Sequence, residues 1–414
     1  MTHASLLTAD IDDPLAMRQS SASWLSLALM DARNRSLRWL SALEAVRPSQ
    51  VPDDLDPPAW IIGQVAWFQE YWISRFPQRN RGLDADPTGL RLASIEPRMD
   101  AWFAPEALSR AQRWAQAPAL AEGLRDYLAA TLETTLELLE KADGSDASLY
   151  FHRLALLHED RTAESLAEWA RALGVLMPAD GPGLPAPPAR GRREPVGFAS
   201  ARVWLGSPGQ GFAPDNERPA REVPVPAFEM DAQVVCWAEF AEFAADGGYD
   251  DRRWWSPEGW RWVEAQQRRA PRYVEQLIEG VLVRRAGRLE RAPAAQAVQH
   301  VSAHEADAWC QWAGRRLPTE AEWALAMGQA HARGMAWGDG FEWIAGTARA
   351  WPGQADGPAR LDAMHAPQSG EGHALRVLRG ASPVTVPRQR HHGARRIASA
   401  QSDSLFSAFR SCAI

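Results

Sequence analysis

Apolar residues recur at helical spacing through the first part of the chain. The longest stripe consists of leucines three or four residues apart, which share one face of a helix. They are Leu120, Leu124, Leu128, Leu132, Leu136 and Leu139. Pro57 and Pro58 begin a second apolar segment that continues through Trp72, and proline is tolerated in the first turn of a helix. A third segment over 148–173 meets Gly174, a residue type that commonly ends helices. With a further periodic segment nearer the start, this pattern predicts a four-helix bundle.

The pattern changes in the middle of the chain. Residues 178–195 are rich in Pro and Gly, which form neither helix nor strand readily, and they predict a linker. Beyond it, short apolar pieces alternate with Gly, Pro and Trp. Ser302 and Glu305 have the spacing of a capping box and predict the start of a helix. We therefore predict two domains, a helical one over 1–177 and a loop-rich α+β one over 196–414.

Composition narrows the class of protein. The chain has 414 residues and a net charge of -7, which gives no overall attraction for nucleic acid. No stretch reaches the length of a membrane span, so we expect no membrane partner. The first residues lack a basic and an apolar region, and the three cysteines form no CxxC pair, so a cytoplasmic location is expected. The 20 Trp against 5 Tyr indicate a Trp-rich structural motif or an aromatic pocket.

Several sequence strings carry a family resemblance. ADGGYDDRRWWSPEGWRW at 245–262 and HVSAHEADAWCQWAGRRLPTEAEWA at 300–324 are similar to the formylglycine-generating-enzyme or sulfatase-modifying fold, a variant of the C-type-lectin fold. PPAWIIGQVAWFQEYW at 57–72 and YFHRLALLHEDRTAE at 150–164 resemble the DinB-like bundle that precedes this domain in ergothioneine-type sulfoxide synthases. The segment WFQEYW at 67–72 looks most like the branch containing selenoneine synthase.

The resemblance implies a fold and a reaction. The fold would be an α+β two-domain structure, with a DinB-like four-helix bundle followed by a C-type-lectin-like domain. Members of the family bind one non-heme Fe(II) through three histidines between the domains. There O2 and a thiol or selenol substrate meet hercynine, a trimethylated histidine, and its imidazole gains a C–S or C–Se bond. Three protein ligands leave open positions for O2 and the sulfur or selenium atom.

The three ligand positions of the family fall here on Gln64, His158 and Thr162. Only His158 keeps the family residue. Positions 158 and 162 lie about one helical turn apart on one face, so two imidazoles there could reach one ion. Amide and hydroxyl oxygens are poor ligands for ferrous iron, so the three-histidine site is absent. A site made of His158, Gln64 and a carboxylate stays open as an alternative, as does a purely structural role for His158.

A substrate pocket is expected between the two domains, on the evidence of the resemblance. In the family, the segment matching Trp337, Asp339, Glu342 and Trp343 lines that pocket, and here it would face the ligand positions in the bundle. An aromatic ring beside a carboxylate suits a trimethylammonium group. Packing of these tryptophans in the core is the competing interpretation.

A basic run near the end of the chain adds a second group of candidates. Arginine side chains suit carboxylates, so Arg395 and Arg396 are candidates for binding the carboxylate of an amino-acid substrate. The active cysteines of the formylglycine-generating branch have no counterpart near Cys310 or Cys412, which disfavours that activity.

Three functional hypotheses follow. The first is an oxygen-dependent synthase that joins sulfur or selenium to hercynine or a similar betaine, with His158 as the surviving ligand. The second is a binding protein that keeps the betaine pocket and has lost iron. The third is a repurposed enzyme with a different metal or none.

Overall fold

The computed structural model describes residues 11–44, 55–104, 107–175, 184–207, 211–285, 287–353 and 374–414. The first part of the chain is helical and the second part mixes short helices with strands, as predicted. The helices of the first part are α1 (Pro14–Arg18), α2 (Ala22–Glu44), α3 (Pro58–Gln69), α4 (Arg98–Phe103), α5 (Arg110–Ala115), α6 (Ala117–Ala121), α7 (Leu124–Glu140) and α8 (Asp146–Leu173). A π-helical turn, Glu70–Ser74, extends α3.

Two features of the helical part refine the prediction. Helix α8 begins after the side-chain cap of Ser145 and ends at Gly174, whose φ of 66° is left-handed, so its end is the one predicted. The leucine stripe does not form one helix. Gly123 has φ 70° and separates α6 from α7, so residue 120 belongs to the shorter helix. A left-handed glycine interrupts the helical hydrogen bonding although the spacing of the apolar residues continues across it.

The second part of the chain holds small sheets and short helices. Its helices are α9 (Trp237–Ala245), α10 (Pro257–Gln266), α11 (Ala303–Trp312), α12 (Glu320–Gly328) and α13 (Ala330–Arg333). The strands are β1 (Val196–Phe198), β2 (Ala201–Leu205), β3 (Arg221–Val225), β4 (Phe228–Met230), β5 (Val274–Gln276), β6 (Val281–Arg285), β7 (Arg288–Ala292), β8 (Gly340–Trp343), β9 (Leu375–Ala381), β10 (Arg395–Ser399) and β11 (Ser407–Ala408). The predicted capping box of Ser302 and Glu305 is confirmed at the start of α11.

The largest sheet positions the residues that face the helical part. Its strand order is β10-β9-β8-β11, antiparallel except for the parallel pair of β8 and β11. Behind it lies a core rich in tryptophan, with Trp255, Trp262, Trp309 and Trp343 all buried. Most tryptophans of the sequence strings quoted above therefore pack in or against this core, which agrees with the Trp-rich structural motif that the composition indicates.

Two predictions fall partly outside the described residues. Of the predicted linker, 184–195 are irregular apart from a bridge of Ala189 to Gln296, and 178–183 lie outside the described residues. In the portion of the chain that is described, no helix has both the length and the apolar character needed to cross a membrane.

Candidate functional site

The three positions that the family resemblance matches to metal ligands lie on α3 and α8, which pack against each other, and all three side chains are buried. The His158 ring stacks on Phe68 with ring centroids 4.3 Å apart and an interplanar angle of 9°. Burial lowers the pKa of His158 to about 3, so its imidazole is neutral at physiological pH. The Thr162 hydroxyl donates to the backbone oxygen of His158 at 2.9 Å. The Gln64 amide donates to the backbone oxygen of Phe103.

An aromatic side chain fills the space beside Gln64. Phe103, at the end of α4, packs directly over Gly63, and a methyl group added to Gly63 would overlap its ring. The glycine is therefore required for this close approach. Sequence reasoning missed Phe103, because nothing in the pattern connects it with a helix about forty residues earlier.

The two carboxylates that follow His158 on α8, Glu159 and Asp160, have arginine partners. Glu159 accepts from Arg33 at 2.8 Å within the bundle. Asp160 accepts from Arg388, which belongs to the second part of the chain. No group of three His, Cys, Asp or Glu side chains among the described residues is arranged to hold a metal ion. One stacked imidazole, an amide bonded to a carbonyl and a hydroxyl bonded to the backbone do not fit the ferrous iron that the family resemblance implies.

A buried ion pair joins the two parts of the chain beside this region. Arg388 lies in the 3₁₀ turn Pro387–Gln389 and its side chain is 0% exposed. Its guanidinium donates to both oxygens of Asp160, at 2.8 and 2.7 Å, and to Asp31 at 2.8 Å. The neighbouring Gln389 amide adds a bond to Asp160 at 2.9 Å. Such a fork fixes orientation as well as distance, so it sets how α8 meets the sheet.

A cleft lies between α8 and the large sheet, next to this ion pair. Helix α8 contributes Arg161 and Glu164 to its wall, and the sheet contributes Phe341, Arg395 and Arg396. The cleft encloses about 50 Å³. The predicted residues Arg395 and Arg396 therefore line an interdomain cleft, together with others that sequence reasoning did not select, Arg161, Glu164 and Phe341 among them.

Charges of both signs meet in this cleft. Arg396 contacts Glu168 at 3.0 Å and Glu164 at 3.6 Å. Its guanidinium carbon also lies 5.2 Å from the centre of the Phe341 ring. Burial raises the pKa of Glu164, while the charge of Arg396 opposes that shift. Arg395 pairs with Glu320 at 3.0 Å and is tied to the fold of its own domain.

The four residues predicted to line the substrate pocket lie in or near β8, and their side chains have partners outside the cleft. Glu342 accepts from Arg410 at 2.6 Å and from the Trp323 indole at 2.9 Å, and it is completely buried. Trp343 is also completely buried and donates to a backbone oxygen. Asp339 pairs with an arginine at 2.7 Å, and the Trp337 ring meets another tryptophan edge-on. The partners of Trp337, Glu342 and Trp343 belong to the second part of the chain, and the partner of Asp339 is Arg190 of the predicted linker.

None of these four residues lines the cleft, and neither Gln64 nor His158 does. Phe341 does line it, from the same strand. Successive side chains of a strand alternate between its two faces, so Phe341 points to the opposite side from Glu342. The same alternation puts Phe341 on the face of the predicted residue Trp343, two positions later, and that spacing is the sequence signal that could have found it.

Comparison with known proteins places the chain among its relatives. Residues 198–365 match the family model of the sulfatase-modifying factor enzyme 1-like domain. A hercynine oxygenase of Mycolicibacterium thermoresistibile is 33% identical over 76% of this chain and 69% of its own length. A hercynine oxygenase of Mycobacterium tuberculosis is 31% identical over 74% and 70%. A formylglycine-generating enzyme of Streptomyces coelicolor is 33% identical over 37% of this chain and 54% of its own length.

Proposed function

We propose a function from the premise that this chain belongs to the hercynine oxygenase family: it binds hercynine or a similar betaine in the interdomain cleft, without the three-histidine iron of the family. The observation that carries this proposal is the position of the Arg396 guanidinium. It lies over the Phe341 ring and 3.6 Å from Glu164. An aromatic face beside a carboxylate is the setting that a quaternary ammonium group prefers.

In this proposal Arg396 holds the place of the ligand's cation. The cleft of about 50 Å³ admits roughly four water-sized groups, which is too little for a whole betaine. The Arg396 side chain is 25% exposed and keeps a second carboxylate partner, Glu168, at 3.0 Å. Its movement from Phe341 would open the cleft without leaving the arginine unpaired.

The remaining charges suit the other end of a betaine. Arg161 and Glu164 lie three residues apart on α8 and therefore on one face of the helix. The ligand's trimethylammonium group would lie between Phe341 and Glu164. Its carboxylate would then meet the guanidinium groups of Arg161 and Arg396, which suit carboxylates geometrically.

Calorimetric titration of hercynine into the full chain tests this proposal. We expect binding to the wild type and a loss of roughly ten-fold or more in affinity on Glu164→Gln, because a charged partner is replaced by a neutral one. Phe341→Leu should weaken binding in the same direction. Glu137→Gln, an exposed change on α7, is the matched control and should leave affinity unchanged. No binding at millimolar hercynine, or equal affinities for Glu164→Gln and the control, would overturn the proposal.

The similarity to hercynine oxygenases favours a second candidate, an oxygen-dependent enzyme that acts on hercynine. In its finer form this is a C–S or C–Se bond-forming synthase of the selenoneine-synthase-like branch, with a thiol or selenol co-substrate and Fe(II). The donor groups at Gln64, His158 and Thr162 do not fit iron, so we derive no step through it. Metal analysis of protein purified without oxygen decides, because stoichiometric iron would favour the enzyme over the binding protein.

The domain assignment forms a further part of the proposal. We propose that residues 1–177 are a DinB-like bundle and 196–414 a C-type-lectin-like domain, in a cytoplasmic protein. Limited proteolysis should cut within 178–195 and leave two fragments. Resistance of that segment while both parts are cut elsewhere would count against this division.

A further inference from the structure

A second and larger cleft lies on the neighbouring face of α8. It encloses about 410 Å³, within the usual range for sites of small organic ligands. Ala163 and Ala167 of α8, Trp39 of α2 and Val384 of the loop before Arg388 supply apolar wall. Thr385 lines both clefts and forms part of the wall between them.

The charged side chains that line this second cleft are arginines, so its charge is positive. Its lining includes Arg35 and Arg390, and no acidic side chain among the described residues lines it. The Arg390 guanidinium donates to the backbone oxygens of Thr385, Ser382 and Pro383, which carry no net charge.

Arg35 is only partly compensated. Its guanidinium pairs with Asp31 at 3.3 Å, and Asp31 also pairs with Arg388 at 2.8 Å. The Arg35 Nε is buried and has no hydrogen-bond partner. The Arg35 side chain is 22% exposed, and a guanidinium has five N–H donors, so the accessible part of this group can donate to an acceptor that enters the cleft.

We propose that this cleft binds an apolar carboxylate, a small molecule with an unbranched or aromatic hydrocarbon body and one carboxylate. Its carboxylate would accept from Arg35, since a guanidinium fork matches carboxylate geometry. Its hydrocarbon body would pack on Trp39 and the small side chains of Ala163 and Ala167, where burial of its methylene groups is favourable. A betaine suits this cleft poorly, because two arginines repel its ammonium group. The inference therefore concerns a ligand and a site distinct from those of the proposed function.

Titration of sodium octanoate into the full chain by calorimetry tests this inference. We expect binding in the low millimolar range or tighter, and a loss of roughly ten-fold on Arg35→Gln. Arg38→Gln is the matched control, because Arg38 is an exposed arginine on the same helix that does not line the cleft. Octanamide, with the same chain and no charge, should bind more weakly than octanoate.

Two further measurements keep the result specific. Ala163→Leu should block octanoate by filling the cleft, and if that protein does not fold, the arginine pair of variants decides alone. Arg35→Gln should leave hercynine binding unchanged, so failure here and failure of the proposed function are separable. No octanoate binding, equal binding of octanamide, or equal effects of Arg35→Gln and Arg38→Gln would overturn the inference.

Discussion

Replacing Arg388 by Gln removes the guanidinium that joins α8 to the second part of the chain. The substitution breaks two bonds to Asp160, whose side chain is 1% exposed, and one to Asp31, which is 37% exposed. The Asp31 carboxylate can be hydrated again, so the loss of its bond to Arg388 contributes at most about 1 kcal/mol. Asp160 keeps the Gln389 amide at 2.9 Å but becomes a buried charge without a cation, which costs about 3–5 kcal/mol. We expect Arg388→Gln to lower the unfolding free energy by that amount.

Urea denaturation followed by circular dichroism and by tryptophan fluorescence measures this change. The two signals must coincide before one free energy of unfolding is assigned. Adding Asp160→Asn to Arg388→Gln should recover much of the loss, because it removes the orphaned charge. Arg98→Gln breaks an exposed pair with Glu96 and should leave the unfolding free energy nearly unchanged. If Arg388→Gln were no more destabilising than Arg98→Gln, the buried pair would not hold the two parts as described.

Three further variants test the interior of the protein. Gly63→Ala should lower the unfolding free energy by roughly 1–3 kcal/mol in urea denaturation, because the new methyl group overlaps the Phe103 ring. Glu305→Gln should flatten the pH dependence of stability. Burial raises the pKa of Glu305 from 4.5 to about 7, so its stabilisation is full below pH 4.5 and is lost as pH rises through 7, by up to about 3 kcal/mol. Gln64→His together with Thr162→His should create a three-imidazole set that binds Fe(II) tightly, as measured by metal analysis under anaerobic conditions.

Each of these has a control or a contradicting result. Gly328→Ala places its methyl group in open space and should not destabilise, so equal effects at Gly63 and Gly328 would contradict the packing argument. The pH effect is the difference between the wild type and Glu305→Gln, which cancels the histidines that titrate in both. An unchanged difference from pH 5 to pH 8 would refute the shifted pKa. No metal in the double variant would mean that the faces of α3 and α8 are not arranged as in the family.

Local signals in the sequence predicted the elements well. The capping box of Ser302 and Glu305 lies within four residues, and the end of α8 at Gly174 depends on one left-handed residue. The break of the leucine stripe at Gly123 was not predicted, because apolar spacing is the same on both sides of it. A glycine's backbone conformation depends on its surroundings and not on the periodicity.

The site was harder to predict because its contacts are remote in sequence. Phe103 reaches Gly63 and Arg388 reaches Asp160 through the fold alone, and no local pattern links either pair. The family resemblance identified the altered ligand positions but not the contacts that Gln64, His158 and Thr162 make in the fold. It also pointed to Glu342 and Trp343 of β8, whereas Phe341 of the same strand borders the cleft.

We propose that the interdomain cleft binds a betaine independently of iron. A calorimetric titration of hercynine into chelator-treated protein, run in parallel with the same protein after anaerobic incubation with equimolar Fe(II), tests this directly. We expect the same affinity in both titrations, because Phe341, Glu164 and Arg396 supply the contacts. Binding that appears only after iron is added, or no binding in either titration, would contradict it.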